Sequence, residues 1–171
     1  LGDVYKRQLH GCRGIRSRYV LWDSKRQSQR ILASESACRP EWKLASLDID
    51  KAFLQGLTYK GLAEATGETE RLVCFTLPPG SAAILRTLLG FEHFDESRHC
   101  LRCIKPGTGT NDAPRAFSIE LRGVNEGKCH MVSSQVDPEL CFRHNQGSLL
   151  AILSKHVDDL KITGTSATIQ H

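Results

Sequence analysis

The chain is 171 residues long, 40% hydrophobic and 25% charged, with a formal net charge of +4. That is ordinary globular composition, long enough for one domain with a sizeable core or for part of a larger one, and no internal repeat or low-complexity tract runs along it. No run approaches the roughly 18 apolar residues of a membrane span, and the chain start lacks a signal-peptide apolar stretch, so the expectation is an intracellular, cytoplasmic chain with no membrane partner. Seven cysteines at scattered spacings, an odd number without an export signal, point to reduced thiols rather than a disulfide framework.

In chain order, the string DVYKRQ at 3–8 resembles the translation of a transposase adaptor used in preparing sequencing libraries, and residues 1–8 are set apart from fold reasoning on that ground. The segment 9–41 is basic at its start: residues 9–30 carry Arg13, Arg16, Arg18, Lys25, Arg26 and Arg30 against Asp23 alone. Such a segment suits contact with phosphates through counterion release, and it equally suits a solvated arm. Residues 24–38 have the pattern of a short helix with Ser24 as N-cap, stopped by Arg39-Pro40 because the residue before proline avoids helical geometry.

In KLASLDIDKAFL, Leu47 and Ile49 alternate with Asp48 and Asp50, the period of a half-buried strand that would send both carboxylates to one face. Residues 58–71 carry a weak helical tendency interrupted at Gly67. RLVCFTL (71–77) reads as a strand ended by Pro78-Pro79-Gly80. Residues 81–99 fit no single pattern, and CLRCIK (100–105) fits a strand. Asn111 or Asp112 is placed to cap a helix with Pro114 in its first turn, and Ala113, Phe117, Leu121 and Val124 follow at helical spacing, with Gly123 weakening the end. Residues 148–157 and 160–163 form two strand candidates around Asp158-Asp159, a hairpin with acids at its tip.

Two strands thus each deliver acid. Adjacent carboxylates on a tight turn repel one another and suit a neutralising cation. A third carboxylate from a neighbouring strand would complete an oxygen-donor site for magnesium. Two such ions about 3.5–4 Å apart activate an attacking hydroxyl and stabilise a leaving phosphate oxygen. An Asp-Asp pair in a turn is also common as a solvated turn, so the motif order matters more than the pair.

That order resembles the reverse transcriptase domain of copia-type retrotransposons. LDIDKAFLQG (47–56) is similar to the family's first polymerase motif, TLPPGS (76–81) to its QPPGF block, and GTNDAPRAFSIEL (109–121) to its GLKQAPRAWYKKL block. SQVDPELCF (134–142) is similar to SKADPSLFI, and HVDDLKITG (156–164) to YVDDILIVG. The resemblance implies an α+β polymerase palm, an antiparallel sheet packed on helices, with part of the fingers. It covers 42–165, with 9–41 as the partial fingers and 166–171 as a truncated end. It implies an RNA-directed DNA polymerase working by two-metal nucleotidyl transfer, with Asp48, Asp158 and Asp159 as catalytic and metal-binding acids.

By the same resemblance Ile49, Phe53 and Arg115 are nucleotide-binding: the carbonyl of Ile49 near the metal, the Phe53 ring against a ribose 2′-hydroxyl, and the Arg115 guanidinium on the incoming nucleotide. Implied cofactors are two Mg2+ ions, with Mn2+ as substitute. Implied partners are an RNA or DNA template with primer, deoxynucleotide triphosphates, and the integrase and ribonuclease H parts of one polyprotein, in the cytoplasm within a virus-like particle. The sequence departs from the family at His156 (an aromatic), Lys161 (an apolar strand residue), Asn111-Asp112 (Lys-Gln) and Asp50 (commonly lysine), and 122–133 fits the family's helix poorly. Two alternatives stand beside the polymerase. One is an inactive nucleic-acid-binding remnant of the same fold. The other is a zinc module built on Cys100-x-x-Cys103 with His93, His99 and either Cys129-His130 or Cys141-x-x-His144.

Overall fold

The computed structural model describes residues 26–169 and the backbone of 4–6. The rest of the adaptor-like stretch and the basic segment up to residue 25, with the Ser24 cap, lie outside the described residues. The elements begin with β1 (Val4–Lys6), α1 (Arg26–Cys38), β2 (Trp42–Asp48), α2 (Ala52–Gln55) and α3 (Tyr59–Thr66). There follow β3 (Cys74–Phe75), α4 (Ser81–Leu85), β4 (His99–Arg102) and α5 (Ala113–Gly127). The chain closes with β5 (Val132–Ser133), β6 (Leu140–Asn145), β7 (Ser148–His156), β8 (Asp159–Thr165) and α6 (Ser166–Ile169).

The described residues fall into two units, 4–6 with Thr58–Pro106, and 26–57 with 107–169. In the first, α3 starts where the Thr58 hydroxyl accepts a hydrogen bond from the Gly61 amide at 3.0 Å and ends at Gly67, whose φ of 70° is left-handed. A three-stranded sheet in the order β1-β4-β3 accompanies a small core of Ala82, Phe91 and Phe94. The strand expected over 71–77 shrinks to two residues, because Pro78-Pro79 lacks the donors to extend a ladder. The ambiguous stretch 81–99 resolves into the short α4 and a run of turns.

The second unit is built on a five-stranded antiparallel sheet in the order β2-β8-β7-β6-β5. Helix α1 covers one face through Leu32, which packs with Trp42, Leu140 and Ile152. The Arg39 guanidinium lies 4.5 Å from the Trp42 ring centre and pairs with Glu35 at 3.0 Å, closing the helix onto the strand. On the opposite face Leu121 of α5 packs on Met131, Cys141, Ala151, Leu153 and Leu160. Burial there pushes the Cys141 thiol above its ordinary pKa.

Several expectations change. Strand β2 is an edge strand and mostly exposed, with Leu44 at 58% and Leu47 at 53%, so it is not the half-buried strand its alternation suggested. It ends at Asp48, and Asp50 lies in the turn beyond it, so the two carboxylates do not share a strand face. Helix α5 runs on through Gly123 to Gly127, and Asp112 at its N-cap makes no capping bond from its side chain. Packing of Ala113, Ala116 and Phe117 at full burial outweighs the poor propensity of its end.

Within this core runs a polar network that periodicity could not reveal. Lys155 on β7 is fully buried, and its ammonium stands 3.1 Å from a Glu139 carboxylate oxygen. The other Glu139 oxygen accepts from the Ser118 hydroxyl of α5 at 3.0 Å. Asp137 accepts from the Ser28 hydroxyl of α1 and from the Glu139 amide. The Lys155 ammonium is in ionic range of Glu139 but not aligned for a hydrogen bond with any described group, so the attraction is chiefly coulombic. Breaking one partner of such a pair leaves a bare buried charge. Lys155→Met is expected to cost about 3–5 kcal/mol in urea denaturation, and Lys155→Met with Glu139→Gln to recover most of it; equal stability of wild type and Lys155→Met would show that the pair contributes nothing.

Candidate active site

The sheet register decides where the acids fall. Strands β2 and β8 pair from Trp42 opposite Thr165 to Asp48 opposite Asp159. Directly opposed residues point to one face with Cβ atoms about 4.5–5.5 Å apart. Asp48 and Asp159 are therefore cross-strand neighbours at the end of the ladder. Residues two apart share a face, so Ser46 and Lys161 lie beside them on the same side.

Asp158 sits in the two-residue connection between β7 and β8, where His156 is opposite Asp159. Its carbonyl accepts from the Ile49 amide at 3.3 Å, which ties the hairpin tip to the chain leaving β2. Val157, the other residue of the turn, has a φ of 57°. A β-branched residue in the left-handed region is a strained outlier, and such strain costs of order 1–3 kcal/mol. The hairpin tip that carries the acids is thus held in a conformation its sequence does not prefer.

All three carboxylates are exposed, and none makes an ion pair or side-chain hydrogen bond with a described residue. Like charges placed directly opposite destabilise a strand pair, and a cation relieves that. Among the described residues no group of three or more His, Cys, Asp or Glu is drawn together closely enough to hold a metal ion. The donor set nevertheless suits magnesium, which keeps several waters and binds through one or two carboxylates together with substrate phosphates rather than in an all-protein cage. The opposed pair Asp48 and Asp159 would supply that anchor, with Asp158 adjacent.

Ile49 is half-buried against the core under α5. Phe53 lies on α2, half-buried, with its ring edge-on to Phe117 of α5 at 6.5 Å and 81°. The close approach of α2 to α5 depends on Gly56, where a Cβ would meet the Phe117 amide nitrogen at 2.8 Å. The Leu57 amide adds a bond to the Ala116 carbonyl at 3.3 Å. Arg115 is half-exposed in the first turn of the same helix. Asp48, Ile49, Phe53, Arg115, Asp158 and Asp159 accordingly all belong to the second unit.

Lys161 was expected to place a charge on a buried strand; the structure leaves it exposed, opposite Ser46, in a cleft beneath α1. The zinc alternative is not assembled. Cys100 belongs to β4 and Cys103 continues its pairing through an amide bond to Val73, so the two thiols, three apart along an extended chain, point to opposite sides. The thiol beside Cys100 is Cys74, whose pKa is raised above its ordinary value by desolvation and then by its hydrogen bond with Cys100, and no group of three or more His, Cys, Asp or Glu among the described residues is placed to hold a metal. Sequence reading missed Glu139, Lys155 and Ser118, for which only the acid in SQVDPELCF and the lysine in SLLAILSKHV were visible.

An antiparallel α+β unit with opposed acids at one end of its sheet is the class that fold and site define. No protein-family model matches the chain, and no solved structure matches it. Over 149 residues, 86% of this chain, it is 29% identical to the retrovirus-related Pol polyprotein from transposon RE1 of Arabidopsis thaliana. It spans 8% of that polyprotein's length. The likeness supports an origin in a retrotransposon polyprotein. No described helix is long and apolar enough to cross a membrane.

Relief of turn strain is directly measurable. Val157→Asn, which tolerates the left-handed region, is expected to raise unfolding stability by about 1 kcal/mol, whereas Val157→Ile should not. A destabilised Val157→Asn in chemical denaturation would contradict the turn geometry.

Proposed function

We propose that this chain is the palm and partial fingers of an RNA-directed DNA polymerase from a copia-type retrotransposon polyprotein. The observation that carries the reading is the pairing of Asp48 with Asp159 at the sheet end, with Asp158 in the adjoining turn. In this reading a primer 3′-hydroxyl gives its proton to solvent and attacks the α-phosphorus of a deoxynucleotide triphosphate, the new phosphodiester bond forms as the α–β phosphoanhydride bond breaks, and pyrophosphate leaves. Magnesium, when bound, lowers the pKa of the attacking hydroxyl and neutralises charge on the leaving oxygens.

The chain's own part is positional. Asp48, Asp158 and Asp159 hold the cations. Phe53, fixed by its edge contact with Phe117, closes the space a ribose 2′-hydroxyl would need. Arg115 offers a planar donor set to the triphosphate. Template, primer and deoxynucleotides are the substrates, and the remaining segments of the polyprotein are the physical partners.

A second reading, a nucleic-acid-binding remnant of the same fold without turnover, is favoured by His156, a polar imidazole beside the acids where the copia-type block carries an aromatic. Primer extension on an RNA template with Mg2+ or Mn2+ separates the two. The polymerase reading expects incorporation by the full chain that falls to background in Asp159→Asn, and a gain in ribonucleotide use of up to roughly a hundredfold in Phe53→Val. Equal signal from wild type and Asp159→Asn would overturn it, and template binding without incorporation by either would select the remnant.

A further inference from the structure

Beneath α1 lies an open cleft of about 570 Å3, lined on the helix side by Arg26, Gln29 and Arg30 and on the sheet side by Leu44, Ser46 and Lys161. Arg26 and Arg30 are one helical turn apart, so they share a face, displaced about 6 Å along the axis. Lys161 rises from β8 on the same sheet face as Ser46, Asp48 and Asp159. None of the three cations forms an ion pair with a described residue. Three like charges around one concavity repel each other, and the arrangement is relieved by a polyanion.

We propose that Arg26, Arg30 and Lys161 form a phosphate-binding cleft that takes the sugar-phosphate backbone of a single nucleic-acid strand. It rests on the polymerase reading for its occupant, and it is particular to this chain, because the copia-type block has an apolar residue where Lys161 stands. Arg26 and Arg30 are offset by about 6 Å along the helix wall and Lys161 stands on the sheet wall, and cations spread along the cleft in this way suit successive phosphates of a strand better than one isolated anion. The floor is aliphatic, with Leu32 and Leu44, and none of the described lining residues is an aromatic on which a base could stack, so binding is through the backbone and independent of sequence. Ser46 and Lys161, which line the cleft, lie two residues from Asp48 and Asp159 on the same sheet face, so a strand seated in it lies near the acids.

Fluorescence anisotropy of a labelled single-stranded oligonucleotide, as RNA and as DNA, tests this with the full chain and EDTA present. Neutralising three phosphate contacts contributes about −2 to the slope of log affinity against log salt for a single strand. The variant Arg26→Ala, Arg30→Ala, Lys161→Ala is therefore expected to bind roughly tenfold or more weakly at low salt, with a slope shallower by about two. A charge-matched control, Lys43→Ala, Lys60→Ala, Lys128→Ala, is expected to stay within about twofold of wild type. Equal losses in both triple variants would overturn the proposal, as would displacement of the oligonucleotide by inorganic tripolyphosphate at equal phosphate concentration. Asp159→Asn should bind the strand at least as well as wild type, so failure of the polymerase reading and failure of the cleft give different results.

Discussion

Everything proposed for this chain depends on the antiparallel pairing of β2 with β8. The pairing holds its register for seven residue pairs and ends with Asp48 opposite Asp159. Because side chains alternate with a period of two, a slip of one residue would send Asp159 and Lys161 to the core face and bring Leu160 and Ile162 to solvent. The apolar set on that face, Leu160 and Ile162 beside Ala151 and Leu153, stabilises the observed register. On its other side β8 lies close against β7 at Gly164, where a Cβ would meet the Leu150 carbonyl oxygen at 2.6 Å.

Behind that register stands the buried ladder from Ser118 through Glu139 to Lys155, with Asp137 and Ser28 on the adjoining side. Its members come from α1, α5, the approach to β6, and β7 itself. Ionic groups in a core are weak contributors to net stability, but they penalise every arrangement that leaves one of them alone. Lys155 lies three residues before Asp158, so the ladder fixes the strand that leads directly into the strained turn. Rigid support below and strain above describe one device: a tip whose geometry is imposed by the sheet and not chosen by its own residues.

Much of this was legible in the sequence, for identifiable reasons. The helix read over 24–38 from its proline stop is observed from Arg26 to Cys38, the hairpin follows from two apolar runs around Asp158-Asp159, and the α5 pattern from Ala113 to Val124 follows from spacing, which survives folding when one face is buried. Phe53 and Arg115 were reached through resemblance, and the structure places both on elements that pack against or belong to α5. What failed was position within the sheet. Alternation in LDID could not say that β2 lies at an edge, nor that its ladder stops before Asp50. Lys161 looked like an intruder because a strand residue was assumed to be buried, whereas α1 leaves a cleft over it. The Glu139–Lys155 pair was invisible because its members are far apart in sequence and each resembles an ordinary surface charge.

The central claim is that one cation site is shared by the end of β2 and the tip of the β7–β8 hairpin. Paramagnetic broadening by sub-stoichiometric Mn2+ in an amide-resolved NMR spectrum reads that proximity directly. The account predicts that the amides of Asp48, Ile49, Val157, Asp158 and Asp159 broaden together while those of α3 and β4 do not, and that Asp48→Asn abolishes the effect at both segments. Broadening confined to one segment, or persisting at the hairpin in Asp48→Asn, would contradict it.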